Sequence, residues 1–285
     1  MATDISQRIR NAYPTFSKGQ KKIANAILHE YDKAAYMTAA KLGIYVGVSE
    51  STVVRFANEL GFDGYSSFQR AVQELVRTKL TPNQRIEVTK KRMGSGDVIE
   101  NVMESDINKI RYTLDRIDRT HFLGAVESIL KAKNIYVMGA RSSEPLALVL
   151  KYNLSLIFDN VKFVKPTSTA EVFEQMFSIG QDDVLIAFSF PRYSMKMVNA
   201  VKYARQNGAN IIVFTDSDIS PIAEYATYLL TAQSDMASFM DSFVAPMSII
   251  NAMIIHITHK REREITARFD KLEQVWDEYG VYTKR

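Results

Sequence analysis

Apolar and polar residues change rhythm once along this chain, near residue 120. Before that point apolar residues recur every three or four positions, the spacing of one helix face. FSKGQKKIANAILHEY opens on Ser17 as an N-cap and sets Ile23, Ile27, Leu28 and Tyr31 on such a face. TAAKLGIYVGVSESTVVRFANELGF follows, and GYSSFQRAVQELVRTKL repeats the pattern with Phe68, Val72, Leu75 and Val76. Residues 81–97 are polar, contain Pro82, Gly94 and Gly96, and read as a linker. DVIENVMESDINKIRYTLDRI then predicts an amphipathic helix with Val98, Val102, Ile107, Ile110 and Leu114 near one face.

After residue 120 the apolar residues gather into five short runs: NIYVMG, VKFVK, DVLIAFSF, ANIIVFTD and ATYLLTA. Helix-like stretches separate most of them. That alternation predicts an α/β three-layer domain, a five-stranded parallel sheet with helices on both faces. MASFMDSFVAPMSIINAMIIHITHKR reads as a long closing helix kinked at Pro246. The tail reads as a last helix whose stripe of Phe269, Leu272, Val275 and Trp276 is expected to pack within the chain. The division that results is an all-α domain at 1–80, a linker and connecting helix at 81–119, the α/β domain at 120–262 and a C-terminal helix at 263–285.

Composition narrows the chemistry. With no cysteine in 285 residues, disulfides, thiolate zinc sites and cysteine nucleophiles are excluded. No apolar run reaches the ~18–20 residues of a bilayer span, and MATDISQRIRN lacks the apolar stretch of a secretory signal. The expectation is a cytoplasmic protein with no membrane partner. The net charge of +4 is unevenly spread: residues 1–80 hold 11 Lys and Arg against 7 Asp and Glu, and the remainder balances at 25 against 25. A positive N-terminal domain suits a polyanion such as DNA, because its cations displace counterions from phosphate.

LGIYVGVSESTVVRFANELGF has the spacing of a helix-turn-helix. Gly43 supplies the small residue where two helices touch. Gly47 accepts the positive φ of the turn, Ser49 caps the second helix, and Val53, Phe56, Ala57 and Leu60 form its buried side. The exposed side then presents Ser49, Glu50, Ser51, Thr52 and Arg55 to the major groove of double-stranded DNA. Arginine grips guanine through two donors, and short hydroxyls reach base edges or phosphates.

In an open parallel sheet, ligands sit beyond the carboxyl ends of the strands. Three such ends are polar here: GARSSEP, SFPRYS and TDSDIS. The first two lead into helices, whose free N–H groups favour an anion. Arg141, Ser142 and Ser143 in one, and Ser189, Arg192, Tyr193 and Ser194 in the other, are the candidate effector residues. Either a hydrated surface turn or an anion seat fits such a corner. A catalytic alternative, an aldose–ketose isomerase, needs a base beside the substrate carbon. His121, His256 and His259, with Glu144 and Glu171, form no such constellation in sequence, so no catalytic residue, metal or cofactor is expected. A further alternative is an α/β domain that only oligomerises.

GVSESTVVRFANELGFDGYSSFQ resembles the N-terminal domain of RpiR/MurR-type bacterial transcription regulators, through Gly47, Val48, Ser49, Thr52, Val53, Arg55, Phe56, Leu60, Gly61, Phe62, Gly64, Tyr65 and Phe68. Gly43 departs from it, since alanine is commoner there; both are small, so the contact is expected to survive. Residues from roughly 120 to 260 resemble a SIS (sugar isomerase) domain of flavodoxin-like architecture. The resemblance implies a regulator of sugar or sugar-phosphate genes, with a phosphosugar or similar anion held at the ends of the first and third strands. The first-loop pattern G-x-G-x-S is met by Gly139, Arg141 in place of glycine, and Ser143. The later pattern S-x-S-G-x-T is met by Ser189, Pro191 in place of serine, Arg192 in place of glycine, and Ser194. The implied assembly is a homodimer or homotetramer on a palindromic operator.

Overall fold

The computed structural model describes residues 5–79, 81–93, 96–165, 167–235 and 238–283. The chain divides into two compact units, Met1–Thr89 and Lys90–Arg285.

The first unit is helical: α1 (Ile5–Ala12), α2 (Lys18–His29), α3 (Tyr31–Ala34), α4 (Ala39–Val46), α5 (Glu50–Glu59), α6 (Gly64–Lys79) and the greater part of α7 (Pro82–Met93). Ser17 and Gln20 close a reciprocal capping box on α2, so the cap legible in the sequence is present. The sequence pattern assigns no helix to α1, whose Ile5 and Ile9 are buried one turn apart. Phe68 sits at the middle of an aromatic cluster, with ring centroids 5.8 Å from Phe56, 5.6 Å from Phe62 and 5.9 Å from Tyr65. The fully buried rings of Phe56 and Phe68 each remove enough apolar surface from water to stabilise the unit by ~1.5–3 kcal/mol. The Tyr65 hydroxyl donates to Met37 O at 2.7 Å, and burial pushes its pKa up to about 12, so it remains a donor across physiological pH.

Residues 81–93 differ from the expected linker. Thr81 and Gln84 form a capping box, and Pro82 opens α7 at the position where its missing N–H costs nothing. The polar composition concealed a capped helix. Gly94 lies outside the described residues.

In the second unit, α8 (Val98–Arg116) begins at Asp97, whose carboxylate accepts the Ile99 and Glu100 N–H groups. α9 (Arg119–Lys131) leads into β1 (Ile135–Gly139), and α10 (Glu144–Ile157) into β2 (Val161–Phe163). α11 (Thr169–Gln175), β3 (Val184–Phe188), α12 (Met195–Gln206), β4 (Asn210–Thr215), β5 (Tyr228–Thr231), α13 (Val244–Lys260) and α14 (Glu262–Glu278) complete the order. All neighbouring strands pair in parallel in the order β2-β1-β3-β4-β5, as the five apolar runs predict. β1, β3 and almost all of β4 are buried on both faces, which is why they read as continuous apolar runs. Ile135, Val137, Ile186 and Ile212 pack with residues of α9, α10 and α13, such as Ile129, Leu150 and Ile250. Tyr136, Met138, Leu185 and Val213 face α11 and α12 through Val172, Met197 and Val201. At the amino ends, buried Asp183 accepts from Asn134 Nδ2 at 2.7 Å and from Gly180 N–H at 2.9 Å, fixing β3 beside β1.

Pro246 kinks nothing. α13 starts only at Val244, which puts the proline in the first turn, where N–H groups have no intrahelical acceptor. Met236 and Ala237, also expected in that helix, lie outside the described residues. In α14 the expected stripe is only partly covered: Phe269, Leu272 and Trp276 are half-buried, Val275 is exposed, and Ile265 alone is fully buried. α8 is the amphipathic helix that the pattern predicts. Its polar side faces inward, with Lys109 and Thr113 buried, while Ile107, Ile110 and Leu114 point to solvent.

Candidate functional site

The second helix of the predicted helix-turn-helix, α5, is set by the turn before it. Thr38 caps α4 by accepting the Lys41 N–H at 3.2 Å. α4 ends at Gly47, whose φ of 70° is the left-handed conformation that glycine adopts without steric cost. Val48 N–H then turns back to Gly43 O at 2.9 Å. Ser49 Oγ accepts the Thr52 N–H at 3.3 Å and lies 2.9 Å from Ser51 Oγ and 2.8 Å from Thr52 Oγ1. Ser49, Glu50, Ser51 and Arg55 are exposed and Thr52 is half-buried, while Val53, Phe56 and Ala57 face the core. The Arg55 Nε–H donates to Ser51 O at 3.4 Å, which holds the stem of the side chain along α5. Lys22, absent from the candidates named by sequence, stands beside the turn: a Cβ on Gly47 would lie 3.6 Å from its Nζ. Its signal was the lysine pair in GQKKIAN, at the start of the capped α2.

Gly43 is not interchangeable with alanine in this chain. A Cβ there would stand 2.8 Å from Val48 O and 3.3 Å from Glu50 N, both backbone atoms of the turn. Gly43→Ala therefore gains ~1 kcal/mol of helix propensity but overpacks the turn by ~1–3 kcal/mol. Hydrogen exchange on the full chain is expected to show faster exchange of the α4 and α5 amides in Gly43→Ala. Slower exchange would mean that the turn yields to the methyl group.

The second site lies where the chain order of the strands reverses. From β1 the connection runs outward to β2, and from β3 it runs the other way to β4, so the crevice opens between the carboxyl ends of β1 and β3. Gly139 and Phe188 are paired at those ends. Beyond Gly139 the chain folds back so closely that an added Cβ would lie 2.6 Å from Ser143 O and 2.9 Å from Ala147 Cβ. Arg141 has φ 57° and Arg192 has φ 64°, and among the described residues these two alone are non-glycine residues with positive φ. Both are exposed, as is Ser142. Ser143 and Ser189 are buried, and Ser194 is half-buried at the N-cap of α12 without capping it through its side chain. The crevice thus brings two cations and several hydroxyls to adjacent strand ends. Tyr193 is engaged elsewhere, since its hydroxyl donates to Asp216 Oδ1 at 2.9 Å and ties the β3 loop to the end of β4.

Of the groups considered for catalysis, Glu144 opens α10 directly behind Ser143, at the first loop. His121 Nδ1 accepts the Leu229 N–H at 2.8 Å, and Asp118, not His121, caps α9. The His256 ring packs edge-on against Phe122 at 6.0 Å. Glu171 closes the capping box of α11 with Ser168, and its hydrogen bonds to Thr167 and Ser168 hold its carboxyl below the usual range. Among the described residues no three His, Cys, Asp or Glu side chains converge as a metal site. No described helix is long and apolar enough to cross a membrane.

Residues 3–79 match the helix-turn-helix domain of the rpiR family, and residues 128–256 match the SIS domain. The chain belongs to the rpiR-type regulators. An HTH-type transcriptional regulator from Haemophilus influenzae, itself uncharacterized, is 28% identical over 230 residues, covering 80% of this chain and 79% of the relative. The HTH-type transcriptional regulator HexR of Escherichia coli is 23% identical over 288 residues, covering 96% and 95%. Among solved structures, the Vibrio vulnificus NanR protein complexed with ManNAc-6P shares the fold across 98% of this chain and 100% of its own, with a TM-score of 0.63 at 20% identity. The protein is a transcriptional regulator of this family with a SIS domain, and its helix-turn-helix implies DNA binding.

Within the SIS domain, the two left-handed residues stand where the G-x-G-x-S and S-x-S-G-x-T patterns carry glycine. At both places the arginine holds a backbone conformation that glycine adopts without steric cost. An L-residue in that conformation costs ~1–2 kcal/mol.

Proposed function

We propose that this regulator controls genes of sugar or sugar-phosphate metabolism, and that a phosphosugar-like anion in the crevice between β1 and β3 sets its affinity for an operator. The pair of left-handed arginines carries the reading. Backbone strain at two adjacent strand ends persists only where something offsets it, and a guanidinium at each end suits a phosphate or carboxylate through paired, charge-assisted bonds. Ser142, Ser143, Ser189 and Ser194 supply further donors, and the N-terminus of α12 adds a partial positive charge. The ManNAc-6P bound by NanR supports a phosphorylated sugar as the ligand class.

The chemistry is binding, without turnover. A homodimer sets two copies of α5 on half-sites about one helical turn apart, with Glu50, Ser51, Thr52 and Arg55 at the bases and Lys22 at a phosphate. The effector needs only ~1.4 kcal/mol of differential affinity between two arrangements of the dimer to change operator affinity tenfold.

A thermal-shift panel on the full chain tests the effector class. It contains hexose and N-acetylhexosamine 6-phosphates, ManNAc-6P included, with the parent sugars and inorganic phosphate as controls. A saturating phosphosugar is expected to raise the melting temperature, by the equivalent of ~2.7 kcal/mol at a hundred times its dissociation constant. A response to the parent sugars alone would remove the anion from the mechanism.

A further inference from the structure

α8 is amphipathic with its polar side turned inward. Asp106 accepts from Ser242 Oγ at 2.8 Å and from Lys109 Nζ at 3.1 Å; Lys109 also donates to Ser105 Oγ at 2.7 Å. Thr113 Oγ1 accepts the Gln233 N–H at 2.9 Å. These bonds fix the roll of the helix. Turning it to bury its apolar face would break them and leave the Ser242 hydroxyl and the Gln233 N–H without these partners. Ile99, Met103, Ile107, Ile110 and Leu114 are left outside, between 39% (Ile110) and 71% (Ile99) exposed. Their spacings of four, four, three and four residues make one continuous ridge, along a helix of 19 residues that is ~28 Å long. A ridge of this kind is a seam for another helix.

Charge selects the occupant. Along one edge of the ridge lie Glu100 and Glu104 toward the amino end and Arg111 toward the carboxyl end, all exposed. The ridge has its midpoint between residues 106 and 107. Antiparallel pairing of two copies about that midpoint sets Arg111 of each between Glu100 and Glu104 of the other. Parallel pairing would instead set this edge against the opposite edge of the partner, where Val102, Asp106 and Thr113 lie, and would leave Arg111 without the two glutamates. The ridge is therefore self-complementary under a two-fold axis, as an isologous interface requires.

We infer that α8 is a homodimerisation surface, two copies packing antiparallel through Ile99, Met103, Ile107, Ile110 and Leu114 with Glu100 and Glu104 flanking the partner copy's arginine at 111. This stands on the geometry of α8 and is independent of the effector reading.

Sedimentation of the full chain tests it. The wild-type chain is expected to form a dimer or a larger even assembly. Ile107 lies next to the two-fold axis, so Ile107→Glu brings two carboxylates together, and the particle mass is expected to halve with the dissociation constant raised ~30-fold or more. Arg111→Glu is expected to weaken the dimer, and so is Glu100→Arg with Glu104→Arg. The three substitutions combined are expected to restore it, a rescue that loss of folding cannot mimic. A monomeric wild-type chain, an Ile107→Glu chain of undiminished mass, or a combined variant no tighter than its parents would each overturn the inference.

Discussion

Arg192→Gly is expected to leave the protein folded and deaf to its effector. Arg192 sits at φ 64°, a conformation that costs an L-residue ~1–2 kcal/mol. Glycine removes that cost but enlarges the freedom of the unfolded chain by ~0.4–1 kcal/mol. The net effect on stability is between zero and a gain of about 1.6 kcal/mol. Arg192→Ala keeps the left-handed backbone and recovers nothing. In melting temperature the glycine variant should therefore equal or exceed wild type, and the alanine variant should fall below the glycine variant. Both lose a charge-assisted bond to the anion worth ~1.5–3 kcal/mol, which lowers effector affinity by roughly 10- to 150-fold. Calorimetric titration with a responsive phosphosugar reads the affinity, and unfolding of the same samples reads the stability. Arg192→Lys keeps a cation but loses the planar fork, so its intermediate affinity would mark bidentate recognition. A glycine variant that bound as tightly as wild type would move the effector out of this crevice.

The second large effect is expected at the reading helix. Arg55 is exposed on α5 and anchored along it through Nε alone, so its terminal nitrogens are available to a base edge. Arg55→Ala should cost ~1–3 kcal/mol of operator binding and relax the base preference at one position of each half-site. Lys22→Ala should instead weaken binding by a similar factor on every sequence, and should lower the slope of log affinity against log salt by about 1. Neither should alter the effector-induced thermal shift, because neither residue belongs to the unit that carries the crevice. Fluorescence anisotropy with duplexes selected from a random pool measures both. If Arg55→Ala left affinity and preference unchanged, the base contacts would have to come from elsewhere on the unit.

Much of this was legible in the residues, for identifiable reasons. The strands read clearly because a parallel sheet buried on both faces demands unbroken apolar runs, as in VLIAF and NIIVFT. The helix-turn-helix read clearly because Gly47 and Ser49 are required by a positive φ and a cap, which few residue types satisfy. α7 was hidden because its capping box lies in a polar segment, and α1 because its buried side amounts to little more than Ile5 and Ile9. The roll of α8 could not be read, since an apolar stripe says only that something covers it; the bonds of Asp106 and Thr113 decide the direction. At the effector site, sequence named the loops but not their conformation. Arginine is a poor predictor of positive φ, and only the resemblance to a glycine pattern pointed there. Tyr193 illustrates the reverse case: a plausible ligand group that the fold commits to Asp216.

Everything proposed for regulation comes down to one coupling, in which an anion in the β1–β3 crevice changes the affinity of α5 for DNA. Operator affinity of the full chain reads that coupling, for wild type and Arg192→Gly, with and without each saturating phosphosugar of the thermal panel. At least one phosphosugar is expected to shift the wild-type dissociation constant tenfold or more, while Arg192→Gly binds the operator normally and shows almost none of that shift. An equal shift in both proteins, or none in the wild type with any phosphosugar that binds it, would refute the coupling.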